Sequence, residues 1–268
     1  MQIWYGVDPM EETYPSLTPY SYVANNPLIY KDPTGAYIEP ASQKEWDKQT
    51  NSVTQQRDKL QSSIDKLTKK AADKGWSAEK LAGKIGDKQE RVNSLNSTIS
   101  TFKTLEGSSQ GYSLKTGAGE VGGTYYDNAS GNVVIDFSNT ANFVHEVTHA
   151  GQFESGNLAF DPNTPQGSYA QDLFDEVSAY KAELAYSGSS VGGALERATT
   201  SSAITADFVK RIATTTGALP YVNHGVIPVN INSSKADLLR AYPHAAAALS
   251  GLPSSFVLKN LTDIIYKK

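Results

Sequence analysis

The chain has 268 residues, of which 39% are hydrophobic, 10% aromatic and 19% charged; this composition can bury a core and excludes global disorder. Twenty-four Lys and Arg against 28 Asp and Glu leave a formal charge of −4, which argues against a nucleic-acid partner held by bulk charge. Cysteine is absent, so disulfides, a thiol nucleophile and thiolate metal sites are excluded. Any transition metal would have to be held by Asp, Glu or one of the four histidines, His145, His149, His224 and His244. No apolar run is long enough to cross a bilayer, so no transmembrane segment is expected. The opening residues, MQIWYGVDPMEETYP, show neither the basic nor the apolar region of a signal peptide.

The first 38 residues hold 5 of the 12 prolines and 6 of the 15 tyrosines. Asn25-Asn26-Pro27 and Asp32-Pro33-Thr34-Gly35 are turn chemistry, and so many breakers exclude a long helix. The order Asp8-Pro9-Met10-Glu11-Glu12, Tyr14-Pro15-Ser16-Leu17-Thr18-Pro19-Tyr20-Ser21-Tyr22-Val23, Asn25-Asn26-Pro27, Asp32-Pro33-Thr34-Gly35 resembles the end of the core region of bacterial Rhs/YD-repeat proteins, over about residues 4–35. The resemblance implies that a C-terminal toxin module follows Gly35, delivered to a target cell by a secretion apparatus and matched by a cognate immunity protein. It also implies that the YD repeats themselves are missing here, as in a truncated or orphan-like gene. In some relatives a paired Asp-Pro motif releases the toxin by self-cleavage; here the first element reads Asp-Pro-Met-Glu, and that activity is not carried over.

From Ala41 to Glu106 there is no proline. Val53, Leu60 and Leu67 recur at seven, with Ile64 between them, and Leu81, Ile85, Val92, Leu95, Ile99 and Phe102 form a second series. These spacings predict two amphipathic helices, and the break at Gly75, with Ser77 as the next N-cap, predicts that they fold back as an antiparallel hairpin. The stretch carries 13 Lys and Arg against 9 Asp and Glu; that excess is read as a solvated surface, with a docking arm for a carrier or immunity partner as the alternative.

Gly122–Tyr126 and Asn132–Phe137 flank Asp127-Asn128-Ala129-Ser130-Gly131, the pattern of a β-hairpin. Ser138-Asn139-Thr140 offers an N-cap for a helix through His149. After a loop at 155–167, a second helix is expected over about Ser168–Tyr186. Shorter helices are expected over Ala203–Ala213, Ser233–Ala241 and Pro253–Tyr266. There is no internal repeat of 20–50 residues.

Residues 145–149 read His-Glu-Val-Thr-His. Two histidines four apart share one helix face and can meet a single ion, while the intervening Glu146 is placed to take a proton from water. A third ligand is needed. The extended pattern with a further glycine and histidine is not met, because those positions hold Gln152 and Ser155. In the following helix the apolar stripe is Leu173, Val177, Tyr180 and Leu184, and Glu176 falls inside it. A carboxylate on a buried face is costly unless a cation or donor meets it. Glu176 is therefore the first choice and Glu183 the second; Glu154 lies too near His149, and Asp172 and Asp175 are read as pointing outward. Tyr180 is a candidate oxyanion donor or packing residue, and His224 a candidate oxyanion donor or exposed loop residue.

His145-Glu146-x-x-His149-Ala150-Gly151-Gln152 with Glu176-Val177-x-Ala179-Tyr180 resembles zincin metallopeptidases of the gluzincin kind, over about residues 120–190, and looks most like those found as toxins in polymorphic systems. The resemblance implies that His145, His149 and Glu176 bind Zn2+ and that Glu146 is the general base. It further implies that the strand Asn132–Phe137 is the edge along which an extended protein or peptide substrate pairs. The expected fold class is α+β: an Rhs-core remnant over residues 1–38, a helical hairpin over 39–107, and a zincin-like domain with a small sheet and active-site helices over 108–268. The expected function is peptide-bond hydrolysis by an interbacterial effector toxin. The alternatives are a cell-wall peptide amidase on the same metal, or a non-enzymatic toxin that binds a membrane or partner through the helical hairpin.

Overall fold

The computed structural model describes residues 38–117 and 122–267, so the Rhs-like motifs at 4–35 lie outside the described residues. The chain is of mixed α+β type: an antiparallel helix pair, α1 (Gln43–Asp73) and α2 (Ala78–Glu106), followed by small sheets and shorter helices. Gly75 makes the reversal with a left-handed φ of 59°, a conformation that glycine adopts without a Cβ penalty. Ser77 then caps α2 by accepting from the Lys80 amide.

The seam between α1 and α2 is apolar. Val53, Leu60 and Ile64 of α1 and Val92, Leu95 and Phe102 of α2 are all buried. At its base Trp46 is fully buried, donates from Nε1 to Glu106 Oε1 at 2.8 Å, and lies edge-on to Phe102 and Phe143. The same core continues through the sheet and the next helix by way of Tyr112, Ile135, Phe143, Val147 and Phe153. Arg91 donates to the carbonyl of Ala185, and Gln56 to that of Tyr186, fixing the hairpin to a later helix.

Three strands, β1 (Tyr112–Thr116), β2 (Gly123–Asp127) and β3 (Asn132–Phe137), form one sheet in the order β1-β3-β2. β2 and β3 make the expected antiparallel hairpin, while β1, absent from the sequence reading, pairs with β3 in parallel. This overturns the expectation that Asn132–Phe137 is an edge. β3 is the central strand and all six of its residues are buried, so its backbone groups are engaged on both sides. β1 and β2 are the terminal strands, and β2 meets the next helix through Thr124.

α3 (Thr140–Glu154) starts at Asn139, whose side chain accepts from the amides of Ala141 and Asn142. β4 (Ala159–Phe160), inside the predicted loop, pairs with β5 (Ser168–Tyr169), which occupies the start of the predicted helix. α4 (Leu173–Ser187) begins later than expected because Asp172 and Asp175 make a reciprocal capping box. Both are buried, correcting their outward assignment, and Asp172 Oδ2 also accepts from the Val229 amide at 2.8 Å. A second ribbon, β6 (Val191–Gly192) and β7 (Arg197–Ala198), leads to α5 (Ala206–Lys210), α6 (Lys235–Ala241) and α7 (Ala246–Ser250). The helix expected over 253–266 reduces to one 3-10 turn, Leu258–Asn260. There the backbone pairs outward instead, Ser234 with Val257 and Phe160 with Ile265. Among the described residues no helix is long and apolar enough to cross a membrane.

Candidate metal centre

α3 and α4 pack against each other through a face that is not apolar. His145, Glu146 and His149 of α3 and Glu176 of α4 are each no more than 6% exposed. His145 Nε2 stands 3.4 Å from Glu176 Oε2, and His149 Nε2 stands 3.5 Å from Glu176 Oε1. The two imidazoles thus face different oxygens of one carboxylate, and one ligand atom from each of the three residues lies within 4.8 Å of the other two. The buried triad His145, His149 and Glu176 can hold a metal ion.

The outer nitrogens are committed elsewhere, which turns both Nε2 atoms inward. His145 Nδ1 lies 3.1 Å from Glu183 Oε2, and His149 Nδ1 lies 2.8 Å from Gln152 Oε1. Gln152 in turn donates from Nε2 to the Asp175 carbonyl at 3.0 Å, and Gln171 donates to Glu176 Oε1 at 2.9 Å. Such partners fix the orientation of metal-binding side chains. Glu183, the second choice for third ligand, thus sits against the far nitrogen of His145. Glu154 is directed away: it accepts from Ser108 and Tyr112, both at 2.5 Å, and lies 3.3 Å from Lys267 Nζ.

Electrostatics supports a cation here. Burial alone would pull the His145 and His149 pKa values down, but Glu176, joined at His145 by Glu183, outweighs it and both are raised. Burial would raise Glu176, yet His149, His145 and His224 hold it well below the usual carboxylate range. Both shifts favour positive charge on the imidazoles beside the Glu176 carboxylate. A divalent cation supplies the same positive charge and meets Glu176 Oε2, a buried oxygen with no hydrogen-bond partner among the described residues.

Glu146 lies beside the triad, and burial pushes its carboxyl upward against the pull of His145 and His149. Asn142 donates to its Oε1 at 3.2 Å, and the Thr124 hydroxyl of β2, with one proton to donate, lies 2.8 Å from the Glu146 carbonyl and 3.1 Å from its Oε2. A carboxylate held in this way, with a raised affinity for protons, is suited to general-base work.

His224 reaches the same centre, with Nε2 buried, without a hydrogen-bond partner among the described residues, and 3.6 Å from Glu176 Oε1. Gly225 makes this possible. It pairs with the Gln171–Leu173 backbone, its amide donating to the Gln171 carbonyl and its carbonyl accepting from Leu173. A Cβ there would lie 3.0 Å from Asp172 Cβ and 3.2 Å from the Tyr242 ring. Tyr180 stands edge-on to His145, with ring centroids 4.6 Å apart, and its hydroxyl is 2.8 Å from that of Tyr221. Tyr221, Thr124, Gln152 and Gln171 were all missed by sequence reasoning. Only Gln152 carried a signal, one turn beyond His149 on the same helix. His244 is exposed and is not part of the triad that could hold an ion.

No family model, curated protein or solved structure matches the chain.

Proposed function

We propose that this chain is a zinc-dependent peptide-bond hydrolase of the zincin kind, acting on protein or peptide substrates as the toxin module of an Rhs-type effector. The observation that carries the catalytic part is the buried His145, His149 and Glu176 triad with Glu146 oriented beside it. The delivery context rests on the motifs at residues 4–35.

Zinc is the fitting ion for two imidazoles and one carboxylate, and when bound it supplies Lewis acidity toward water and the scissile carbonyl. The protein's residues do the rest. Glu183 and Gln152 hold the imidazoles with Nε2 inward. Glu146 takes a proton from the attacking water and passes it to the leaving amine, with Thr124 and Asn142 fixing its carboxylate. His224 donates from Nε2 to the negative charge that develops on the carbonyl oxygen. β2, which carries Thr124, is a terminal strand of its sheet, and its edge away from β3 would offer backbone groups to an extended substrate.

A Glu146→Gln variant tests the reading. Retained zinc with loss of peptide hydrolysis and of toxicity on expression supports it. Toxicity that survives with hydrolysis abolished moves the harmful activity to the helical hairpin. Release of cell-wall stem peptides, with proteins left intact, replaces protein by cell-wall peptide as the substrate.

A further inference from the structure

The charge of the helical hairpin is unevenly placed. Residues 41–106 carry an excess of four positive charges, and all of it lies within residues 66–88, where seven lysines stand against Asp73, Glu79 and Asp87. The rest of the hairpin is balanced, and the chain outside residues 66–88 carries −8. The two ends also use their charges differently. Nearer the base, Lys48 meets Glu45 at 2.9 Å and Arg57 meets Asp58 at 2.6 Å. Towards the turn Lys66, Lys69, Lys70, Lys74, Lys80 and Lys84 are exposed, and none of them forms a salt bridge among the described residues.

This end extends past the rest of the molecule. Among the described residues, the hydrogen bonds to other elements that lie nearest the turn are those of Gln56 and Arg91. Beyond Gln56 the helix rises about another 25 Å to Asp73. Gly75 reverses the chain there, and Trp76 follows it, half-buried rather than enclosed. Lys80 Nζ lies 4.9 Å and Lys70 Nζ 6.0 Å from the centroid of its ring, so the aromatic face is held among ammonium groups. The leucines nearest the turn on each helix, Leu67 and Leu81, are half-buried as well.

We infer that this tip docks on a membrane surface rich in anionic phospholipid, with the lysines against the phosphates and Trp76 at the level of the headgroups. Tryptophan favours the boundary where an apolar layer meets water, and each lysine brought near an anionic leaflet strengthens binding roughly fivefold. A protein partner fits less well, because protein interfaces favour arginine and disfavour lysine, and residues 58–90 contain no arginine. The same surface repels the negative remainder of the chain, which orients the molecule tip first. The contact is peripheral, since no described helix is long and apolar enough to cross a bilayer. None of residues 66–88 belongs to the triad that could hold an ion, so docking and hydrolysis are separable.

The test is co-sedimentation of the full chain with vesicles of phosphatidylcholine alone, or with about a third of it replaced by phosphatidylglycerol. Binding to the anionic vesicles should exceed binding to the neutral ones by about tenfold or more. It should weaken as salt is raised above about 0.1 M, because exposed charges are screened. Lys69→Gln, Lys70→Gln, Lys74→Gln and Lys80→Gln combined should reduce binding by about tenfold or more. All four side chains are exposed, so this variant should keep the wild-type circular dichroism and metal content. Trp76→Ser alone should weaken binding by about threefold or more. Equal binding to the two kinds of vesicle, or binding that the lysine variant retains in full, overturns lipid docking. A polyglutamate peptide or a short DNA duplex that displaces the protein from anionic vesicles at equal charge concentration also overturns lipid as the partner, in favour of an acidic protein or a nucleic acid.

Discussion

Two helix pairs in this molecule pack by opposite rules. α1 and α2 meet through Val53, Leu60, Ile64, Val92, Leu95 and Phe102, an apolar seam whose burial is favourable in itself. α3 and α4 meet through His145, Glu146, His149, Asp175 and Glu176, all buried. Ionisable groups in such a place are costly unless each is met by a partner or an ion. The first pair uses its interface for stability. The second leaves Glu176 Oε2 buried without a hydrogen-bond partner among the described residues, as is Nε2 of the neighbouring His224, an arrangement that makes sense when the interface is a binding site.

The contrast can be broken most severely at Glu176. In a Glu176→Ala variant, metal content should fall from about one ion per chain to near zero, and kcat/KM by on the order of a thousandfold or more, equivalent to roughly 4 kcal/mol. Elemental analysis and peptide hydrolysis measure the two effects. Metal retained in that variant would move the third ligand to another residue.

The opposite outcome is expected in the apolar pair. Leu95 is fully buried in the seam, so Leu95→Ala should cost about 2–5 kcal/mol in chemical denaturation while leaving zinc stoichiometry at one. If zinc is lost from the folded variant, the two pairs are not independent.

A finer distinction lies in the groups behind the ligands. Glu183, partly exposed and 3.1 Å from His145 Nδ1, should weaken zinc binding by about 10- to 100-fold when replaced by Ala. Competition with a chelator of known affinity checks this, and stability should change little. An unchanged zinc affinity would mean that packing alone orients His145.

The smallest effect lies outside both helix pairs. Asp237 at the start of α6 is held at about 2, below the ordinary 3.8, by hydrogen bonds from the side chain and backbone of Ser234 and from Arg240. A depressed carboxyl contributes stability that is fully present above the unfolded value and is lost as pH falls through the folded one. The contribution should therefore fade between about pH 4 and 2. An NMR titration of Asp237 gives the midpoint, and Asp237→Asn should remove this part of the acid response.

The legible and illegible parts of the site divide along physical lines. His145, Glu146 and His149 share one helix, so their spacing along the chain is also their spacing in space. Glu176 betrayed itself as a carboxylate inside an apolar stripe. The α1–α2 reversal was readable from Gly75 and the Ser77 cap. Asp172 and Asp175 form a capping box whose Asp-x-x-Asp spacing was present in the sequence, but the pattern was read as an outward face rather than as a helix start. Thr124, Gln171 and Tyr221 offered no such signal, because each reaches the centre from a different element.

The sequence alone therefore determined the two-helix seam and the helix that carries His145, Glu146 and His149 on one face, because these depend on periodicities of a few residues. Tertiary structure decided the rest: β3 as a central strand, the partners that turn both Nε2 atoms inward, and the approach of His224 over Gly225. Those features depend on which surfaces meet after the chain has folded, and local patterning does not encode that meeting.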